Sequence, residues 1–575
     1  MKRILYLLAA VCAALSLSLQ ASAAEWQWSV SIPSVISDET GDHPRAFLWI
    51  PSDCTRVRAV VVGQHNMCEE NIFNNSLFRE RMSESGIALV WISPVLNFPW
   101  DVTSGCNEAL LGALDDLAEV SGYSELHVAP IVPLGHSAMA TYPWNFAAWN
   151  PERTLAVISY HGDAPRTNLT GYGGANLEWG RTRNIDGIPG LMVEGEYEWW
   201  EARVTPALAF RMMYPGSCVS FLCDAGRGHF DISDRTVDYI GLFIRKALES
   251  RLPEDVDWTR PIALKKLNPR EGWLAERWRT GTAEPQGEVR TARLIKQPER
   301  PSPAPYSEYK GDRHDAFWYF DREMAELTEE IYRQDRDMLP QYLSFEQDGK
   351  LVPYNASSHV TLSLPFRPEA DGVTFHLKPV YTDSLRTSLT EQHAEAEPRI
   401  CDIYGPVRQI DDTTFAISFY RMGTSNLKRR ASITLIASAG GDSRYKETVQ
   451  EIGMRFPYPL TEGRSQHISF PAISDIGADE GEVELRATSD YGLPVYYYVK
   501  EGPAEVVGNE LVLTKIPPRS KYPVKVSVVA WQYGIAGEVQ TAETVERSFN
   551  VYPSRRSVPK AASAAASEVK PSPLS

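Results

Sequence analysis

The fold of this chain is decided by the stretch LHVAPIVPLGHSAMA, which runs from Leu126 to Ala140. Its apolar first half predicts a strand and the residues after it predict a helix, so Ser137 falls at the turn between them. Such a turn brings backbone segments close together, and the small neighbours Gly135 and Ala138 permit that approach. The turn exposes the serine hydroxyl and lets the next amide face a developing negative charge. The stretch therefore predicts a nucleophilic serine at position 137.

The match to the usual pattern of such a turn is incomplete. The last position of Gly-x-Ser-x-Gly is glycine, whereas this chain has Met139 there. An ordinary strand-to-helix turn without catalytic function is the alternative interpretation. Residues elsewhere in the chain have to distinguish the two.

Strands and helices alternate from about Trp26 to Leu252. The predicted strands besides the one before Ser137 are Val57–Gly63, Ile87–Ile92, Leu155–Tyr160, Gly190–Val193 and Ser217–Cys223. The predicted helices are Leu77–Glu84, Asn107–Val120, Trp200–Met213 and Arg235–Leu248. Near-continuous apolar strands that alternate with helices are typical of a parallel sheet covered on both faces. We therefore expect a doubly wound, mostly parallel α/β domain over residues 24–252.

A nucleophilic serine needs a base within hydrogen-bond reach and an acid that orients the base. When the serine lies on a strand–turn–helix element, the order along the chain is Ser, acid, His. His229 lies between the last predicted strand and the last predicted helix, in the glycine-containing loop Gly226–Asp231. This position predicts that His229 is the base. A histidine in an ordinary surface loop is the alternative.

The acid is expected just after the predicted strand that ends at Val193. The sequence there offers Glu194, Glu196 and Glu198, and the spacing after the strand favours Glu198. Glu194 and Glu196 are close alternatives. Asp163, one predicted strand earlier, is a further alternative. A solvated acidic loop accounts for those that are not used.

Two backbone amides are expected to stabilise the oxyanion. One should come from Ala138, directly after the nucleophile. The other should come from the loop after the first predicted strand, where Asn66 or Met67 would supply it. His65, in the same loop, is a candidate substrate contact. A structural histidine packed under the serine turn is its alternative interpretation.

Aromatic residues crowd the predicted mouth of the site. They are Trp100, Tyr142, Trp144, Trp199 and Trp200. Aromatic side chains offer large, flat contact surfaces, so these residues, above all the tryptophans at 144, 199 and 200, are candidates for binding sugar rings. Packing in the core is the alternative for each of them. Arg203 lies in the same region and is a candidate partner for the carboxylate of a uronic acid.

After Leu252 the sequence changes character twice. Residues 253–338 are rich in Pro, Arg and Glu and predict a surface linker, followed by a helix from Asp315 to Gln334. Residues 339–475 and 476–553 contain short alternating segments between Gly-, Asp- and Asn-rich turns, which predicts two all-β domains of the sandwich type. We call these the first β domain and the second β domain. Residues 554–575, rich in Ser, Ala, Pro and Lys, predict a disordered tail.

The N-terminus and the charge restrict location and partners. Residues 1–23 predict a secretory signal peptide, with Lys2 and Arg3 before an apolar core and Ala21-Ser22-Ala23 after it. No later segment is long and apolar enough to predict a transmembrane helix. The formal net charge of −16 makes nucleic acid an unfavourable partner. We expect an exported monomer, in the periplasm or at the cell surface.

Six cysteines remain after the signal peptide. Export permits disulfides. Cys68 and Cys106 are the one candidate pair, because both would lie in loops on the same face of the predicted sheet; buried free thiols are the alternative. No cysteine spacing resembles a zinc site. We expect neither a metal nor an organic cofactor.

The order and context of Ser137, the acidic loop and His229 resemble the α/β-hydrolase family over about residues 25–252. The resemblance is greatest to exported carbohydrate esterases of polysaccharide-degrading bacteria, in which β-sandwich modules follow the catalytic domain. The stretch from Ala487 to Thr514 resembles bacterial immunoglobulin-like repeats. The family implies that Ser137 attacks an ester carbonyl, that His229 relays the proton, and that the acid holds the imidazole.

These features predict a serine esterase that removes methyl, acetyl or feruloyl groups from a plant polysaccharide such as pectin or xylan, or from its oligosaccharides. A peptidase or lipase of the same fold is an alternative, although the sequence contains no large apolar lid and no N-terminal propeller. A third hypothesis is a glycan-binding protein that retains a hydrolase-like scaffold without catalysis. The complete set of Ser, acid and His counts against it.

Overall fold

The computed structural model describes residues 25–97, 100–162, 164–165, 170–171, 174–175, 185–196, 200–279, 282–283, 293–294, 298–355, 361–421 and 429–554. The predicted signal peptide and the tail after residue 554 lie outside these ranges. No helix within them combines the length and the apolarity that crossing a membrane requires.

A twisted sheet of eight strands forms the centre of the N-terminal region. The strands of this region are β1 (Trp28–Ser31), β2 (Arg45–Trp49), β3 (Ala59–Gln64), β4 (Ile87–Ser93), β5 (Ile131–His136), β6 (Val157–Tyr160), β7 (Thr170–Gly171), β8 (Gly174–Ala175), β9 (Pro189–Gly195) and β10 (Cys218–Asp224). The order in the sheet is β1-β2-β4-β3-β5-β6-β9-β10, and β7 pairs with β8 separately. Strand β2 pairs antiparallel with both β1 and β4, and the other pairs in the sheet are parallel.

Helices cover both faces of this sheet. They are α1 (Glu69–Asn74), α2 (Ser76–Ser85), α3 (Cys106–Ser121), α4 (Thr141–Trp149), α5 (Trp200–Met213) and α6 (Asp234–Arg251). Two apolar clusters lie on opposite sides of the sheet, because residues that alternate along β3 and β4 contribute to one cluster or the other. Strands β3, β4, β5, β9 and β10 are buried along their whole length. This burial explains their uninterrupted apolar sequences.

The predicted fold class is confirmed: the strand order, with its antiparallel edge, is that of an α/β-hydrolase. The predicted strands and helices of this region have counterparts whose ends mostly differ by one or two residues. The strand before Ser137 is shorter than its apolar sequence suggests. It begins at Ile131, and a short 3₁₀ turn occupies Ser124–His127.

The segment 253–338 is more than the surface linker that its composition predicts. It contains β11 (Trp273–Glu276), β12 (Thr282–Ala283), β13 (Arg293–Leu294), β14 (Ala304–Pro305), β15 (Ala316–Tyr319) and α7 (Arg322–Asp335). The helix therefore begins at Arg322, seven residues later than predicted, and it follows β15. Phe317 stacks on Phe221 of β10 with ring centroids 5.0 Å apart, and the Tyr319 hydroxyl donates to the Phe221 carbonyl oxygen at 2.8 Å. The linker prediction failed because the apolar residues that cover β10 are too few to show a period.

The C-terminal region is all-β, as predicted. Its strands are β16 (Tyr342–Gln347), β17 (Lys350–Leu351), β18 (Ser363–Pro365), β19 (Thr374–His376), β20 (Lys378–Thr382), β21 (Arg399–Tyr404), β22 (Val407–Gln409), β23 (Thr414–Ile417), β24 (Ser432–Ala439), β25 (Thr448–Arg455), β26 (Ile468–Ser469), β27 (Ile476–Gly477), β28 (Glu482–Glu484), β29 (Thr488–Ser489), β30 (Tyr496–Glu501), β31 (Ala504–Val507), β32 (Glu510–Leu513), β33 (Val524–Trp531) and β34 (Val545–Tyr552). They form small, mostly antiparallel sheets, of which β18-β25-β24-β21 and β27-β34-β33-β30 are the four-stranded ones.

The expected disulfide between Cys68 and Cys106 is absent, and all six cysteines of the described residues are free thiols. The Cys68 Sγ donates to the Phe230 carbonyl oxygen at 3.3 Å, whereas the Cys106 Sγ donates to the Asp101 carbonyl oxygen at 3.3 Å. The prediction was wrong because the two thiols are directed into different parts of the structure. The alternative of buried thiols holds for five of the six, Cys401 being exposed.

Candidate active site

Ser137 lies at a strained turn between β5 and α4. Its φ angle is 55°, which is left-handed backbone that a non-glycine residue rarely adopts. A Cβ added to Gly135 would lie 2.1 Å from the Met139 carbonyl oxygen. A Cβ added to Gly162, after β6, would lie 1.8 Å from the Ala140 Cβ. Two glycines therefore make room for the turn, and the serine hydroxyl is held at the carboxyl edge of the sheet.

Met139, the departure from the Gly-x-Ser-x-Gly pattern, is fully buried. It belongs to the apolar cluster that also contains Tyr142 and Phe146 of α4. In the usual pattern, the glycine at this position makes room for neighbouring backbone. In this chain the close approach is between Ala140 and Gly162. A methionine at position 139 is thus compatible with the turn.

His229 reaches the serine from the loop between β10 and α6. Its Nε2 lies 2.8 Å from the Ser137 Oγ. Both side chains are almost buried, with exposed fractions of 8% and 6%. The structure therefore brings together the predicted nucleophile and the predicted base, which are 92 residues apart in the chain.

The loop that carries His229, residues 226–231, is held by donors from the two neighbouring strands; we call it the histidine loop. The His229 carbonyl oxygen accepts from His136 Nε2 at 2.8 Å and from His161 Nδ1 at 2.9 Å. The Asp231 carbonyl oxygen accepts from the Tyr160 hydroxyl at 2.7 Å. Each donor lies at or just after the carboxyl end of β5 or β6, and this position explains its contact with the histidine loop.

The same three histidines are close enough that one nitrogen from each could meet at a metal ion. Their arrangement serves a different purpose here. The His136 Nε2 and the His161 Nδ1 must carry protons to bind a carbonyl oxygen. Burial, followed by the charges of His229 and His161, keeps the pKa of His136 well below its ordinary value, so this ring is neutral. We derive no metal-dependent step from the cluster.

Two of the four candidate acids are bonded to groups other than His229. Glu194 is fully buried, and its Oε2 accepts from Arg203 Nη1 at 3.0 Å. Glu196 binds Lys446 of the first β domain, with both carboxylate oxygens 2.7 Å from Nζ. It also accepts from the Gly226 amide at 2.9 Å. These ion pairs argue against both residues as the partner of His229.

The other two candidate acids, Glu198 and Asp163, lie outside the described residues. The preference for Glu198 therefore stays a prediction, with Asp163 as its alternative.

The loop that should supply the second oxyanion amide, residues 65–67, faces inward; we call it the oxyanion loop. The Asn66 and Met67 amides both donate to Glu69 Oε2, at 3.1 and 2.9 Å. The His65 amide donates to the Ile92 carbonyl oxygen at 2.8 Å. The prediction that Asn66 or Met67 presents a free amide to the substrate is thus contradicted. The role of the Ala138 amide, directly after the nucleophile, stays a prediction.

Glu69 joins the oxyanion loop to the serine turn, and the sequence did not reveal it. Its Oε1 accepts from the His136 amide at 2.8 Å, one residue before Ser137. The Asn66 side chain completes the link by donating to the His136 carbonyl oxygen at 2.9 Å. Burial raises the pKa of Glu69 to about 7, against the opposing effect of the donated amides. Glutamate at the start of a helix is common, so the sequence offered no signal for this contact.

The predicted substrate contacts are mostly buried. Trp144 is 1% exposed and packs against the backbone of β9, where a Cβ on Gly190 would lie 2.4 Å from its ring. Trp100 is equally buried and packs on Tyr142 at 4.4 Å between ring centroids. For these aromatic residues the alternative of core packing is correct, because Trp144 lies on the inward face of α4 and Trp100 packs on Tyr142 of the same helix. Trp199 lies outside the described residues, as does the side chain of Trp200.

The two polar substrate candidates also have structural partners. Arg203 is buried and paired with Glu194, so it does not present its guanidinium to a uronic acid. His65 packs edge-on against Trp91, with 5.6 Å between ring centroids, and burial keeps its pKa well below the ordinary value. Its alternative interpretation as a structural histidine fits this packing.

No protein-family model and no curated protein matches the sequence. Solved structures match the N-terminal part, and three of them illustrate the range. Est1E from Butyrivibrio proteoclasticus has 16% identity over 38% of this chain and 96% of its own, with a TM-score of 0.25. The fluorophosphonate-binding serine hydrolase FphF from Staphylococcus aureus has 11% identity over 39% and 96%, with a TM-score of 0.26. LpqC, a poly(3-hydroxybutyrate) depolymerase from Bordetella parapertussis, has 13% identity over 41% and 94%, with a TM-score of 0.30. These scores are low, so the fold assignment rests on the strand order and the serine turn.

Proposed function

We propose that this protein is a serine esterase. The observation that carries the proposal is the 2.8 Å contact between the Ser137 Oγ and the His229 Nε2 at a left-handed turn. A serine in strained backbone, bonded to a histidine whose loop is fixed from two strands, has the geometry of an activated nucleophile. An ordinary strand-to-helix turn does not require this strain.

The proposed mechanism has two half-reactions. Ser137 Oγ attacks the ester carbonyl while His229 Nε2 accepts the hydroxyl proton. The Ala138 amide donates to the oxyanion that forms, and His229 then passes its proton to the departing alcohol. Water attacks the resulting acyl-enzyme with His229 again as the base. His229 then passes the proton that it took from the water to Ser137 Oγ, and the carboxylic acid leaves.

We propose Glu198 as the acid that orients His229, with Asp163 as the alternative. Glu194 and Glu196 are less suitable, because they form buried ion pairs with Arg203 and Lys446. The test is a pair of substitutions, Glu198→Gln and Asp163→Asn. Loss of the true acid should lower kcat by roughly 10⁴-fold, because the imidazole then adopts the wrong tautomer. A small effect of both would show that neither is the acid.

For the substrate we propose an ester-decorated plant polysaccharide, such as pectin or xylan, or its oligosaccharides, cleaved outside the cytoplasm. The support is the resemblance to exported carbohydrate esterases and the predicted signal peptide over residues 1–23. Methyl, acetyl and feruloyl esters all fit the mechanism. A release assay that quantifies methanol, acetate and ferulate separately from esterified pectins and xylans would identify the group.

The esterase proposal itself is tested with p-nitrophenyl acetate and a fluorophosphonate probe. The wild-type protein should hydrolyse the ester and become labelled, and Ser137→Ala should do neither. Cys401→Ser is a suitable control, since it removes an exposed thiol that could be acylated without catalysis. Equal labelling of wild type and Ser137→Ala, or an inert wild-type protein, would refute the proposal.

A further inference from the structure

The loops on three sides of Ser137 each contact the first β domain. Those loops are the oxyanion loop, the end of β9 at Glu196, and the histidine loop. The contacting residues are 363, 250 and 220 positions apart in the chain, and all three contacts are ionic or charge-assisted. They involve Arg429, Lys446 and Glu447 of the first β domain.

Arg429 holds the oxyanion loop from outside. Its guanidinium donates to the Asn66 carbonyl oxygen, and its Nη2 donates to Asn66 Oδ1 at 3.3 Å. Its Nε donates to Glu39, which lies between β1 and β2. Asn66 is the residue whose side chain binds the His136 carbonyl oxygen beside the nucleophile. Asn66 therefore connects Arg429 to the serine turn by hydrogen bonds.

The histidine loop lies against the start of β25. Arg227 forms an ion pair with Glu447, and a Cβ on Gly226 would lie 2.1 Å from the Glu447 carbonyl oxygen. Glu451 comes next to the loop as well, since a Cβ on Gly228 would lie 3.8 Å from its Oε2. Glu447 and Glu451 thus place the start of β25 beside the histidine loop.

The third contact is the buried ion pair between Lys446 and Glu196, whose side chains are 1% and 5% exposed. Removing one partner would leave the other charge buried and unpaired, which is strongly unfavourable. Glu196 also accepts from the Gly226 amide, so this pair connects β9, the histidine loop and the first β domain. A cavity of about 790 Å³ lies beside this interface, between the oxyanion loop and residues of β21, β24 and β25.

We propose that the first β domain is a fixed wall of the catalytic site, and that Arg429 is a positioning residue for the oxyanion loop. Arg429 acts on the serine turn through Asn66. This inference rests on the proposed esterase function for its kinetic readout. A separable spacer or binding module would not need three charged contacts, one at each catalytic loop.

The test compares Arg429→Met with Arg519→Met. Arg519, in the second β domain, also forms a contact with the N-terminal region: its Nη1 lies 2.8 Å from Glu125 Oε1, before β5 begins and far from Ser137. With p-nitrophenyl acetate, Arg429→Met should lower kcat by roughly 10- to 100-fold, the effect of losing a charge-assisted contact. KM should change by less than about three-fold, because a positioning residue makes no contact with the substrate. Arg429→Lys should recover part of kcat, and Arg519→Met should keep the wild-type kcat.

A second measurement makes the test independent of turnover. Amide hydrogen exchange at residues 65–67 should become faster in Arg429→Met and stay unchanged in Arg519→Met. Glu447→Gln, a substitution at a side chain that is 32% exposed, should lower kcat a few-fold, and it replaces Arg429→Met as the test if that variant does not fold. Equal kcat and equal exchange in the two arginine variants would overturn the inference. An inert wild-type protein with the expected exchange difference would refute only the esterase proposal.

Discussion

The oxyanion loop and the histidine loop flank the same serine but are held by different sets of contacts. The histidine loop has charged contacts with Glu196 and Glu447, and its own carbonyl oxygens also accept from His136, His161 and Tyr160. The oxyanion loop is bound by charged groups, with Glu69 on its inner side and Arg429 on its outer side. The oxyanion loop thus depends mainly on carboxylate and guanidinium groups, whereas the histidine loop has additional support from donors at the ends of β5 and β6. The two loops should therefore respond differently to substitution and to pH.

The largest effect is expected from Glu69→Gln. One oxygen of the carboxylate accepts from the His136 amide and the other from the Asn66 and Met67 amides. A glutamine has one acceptor oxygen, so one side of the link would face an NH₂ group. We expect kcat to fall by about 100-fold and the free energy of unfolding to fall by about 1–3 kcal/mol, the effect of unsatisfied buried amides. Steady-state kinetics and urea unfolding measure the two quantities.

Glu125→Gln is the control for this prediction. Glu125 is equally buried and accepts from the Val57 amide at 2.9 Å, but it lies before the other end of β5. The Glu125→Gln variant should have a lower free energy of unfolding and an unchanged kcat. If both glutamine variants lower kcat to the same extent, the special role assigned to Glu69 is wrong.

A smaller effect is expected when the pH changes the ionisation of Glu69 and, with it, the free energy of unfolding. Burial raises the pKa of Glu69 in the folded protein to about 7, from an ordinary value near 4.5. Ionisation of this carboxyl therefore opposes folding, and its contribution to stability falls as the pH rises from 4.5 to 7. The difference in unfolding free energy between wild type and Glu69→Gln should decrease by up to about 3 kcal/mol over that range and then stay constant. Urea titrations at five or six pH values measure it. A difference that is independent of pH would mean that Glu69 ionises normally.

The contrast between the loops also explains what the sequence could predict. His229 was found because its place between the last strand and the last helix is a local feature of the chain. Glu69 was missed because an acid at the start of a helix has an ordinary explanation. Arg429 and Lys446 were missed because they are hundreds of residues from the loops they bind, and no spacing rule covers such contacts.

The errors in the substrate residues have a physical cause as well. Trp144 and Arg203 were placed at the mouth because they follow the carboxyl ends of strands. Each side chain points inward, Trp144 onto the glycine-containing face of β9 and Arg203 onto buried Glu194. Position along a strand or helix shows where the backbone lies, whereas the direction of a side chain depends on the neighbouring elements. The uninterrupted apolar strands were predicted well, because burial on both faces leaves a signal in every residue.

The smallest effect is expected from Tyr160→Phe, which separates local support of the histidine loop from general stability. The substitution removes one hydroxyl that donates to the Asp231 carbonyl oxygen at 2.7 Å and leaves the ring in place. Tyr123→Phe is the matched control, because the buried Tyr123 hydroxyl donates to the Cys54 carbonyl oxygen, also at 2.7 Å and away from the site. Each variant should lose about 1 kcal/mol of unfolding free energy.

Only Tyr160→Phe should lower kcat, and by no more than about three-fold, since the His136 and His161 donors still hold the His229 carbonyl oxygen. A fall in kcat as large as that of Glu69→Gln would contradict this expectation. It would mean that His136, His161 and Tyr160 act as a single cooperative set, and that the histidine loop is the less tolerant of the two loops.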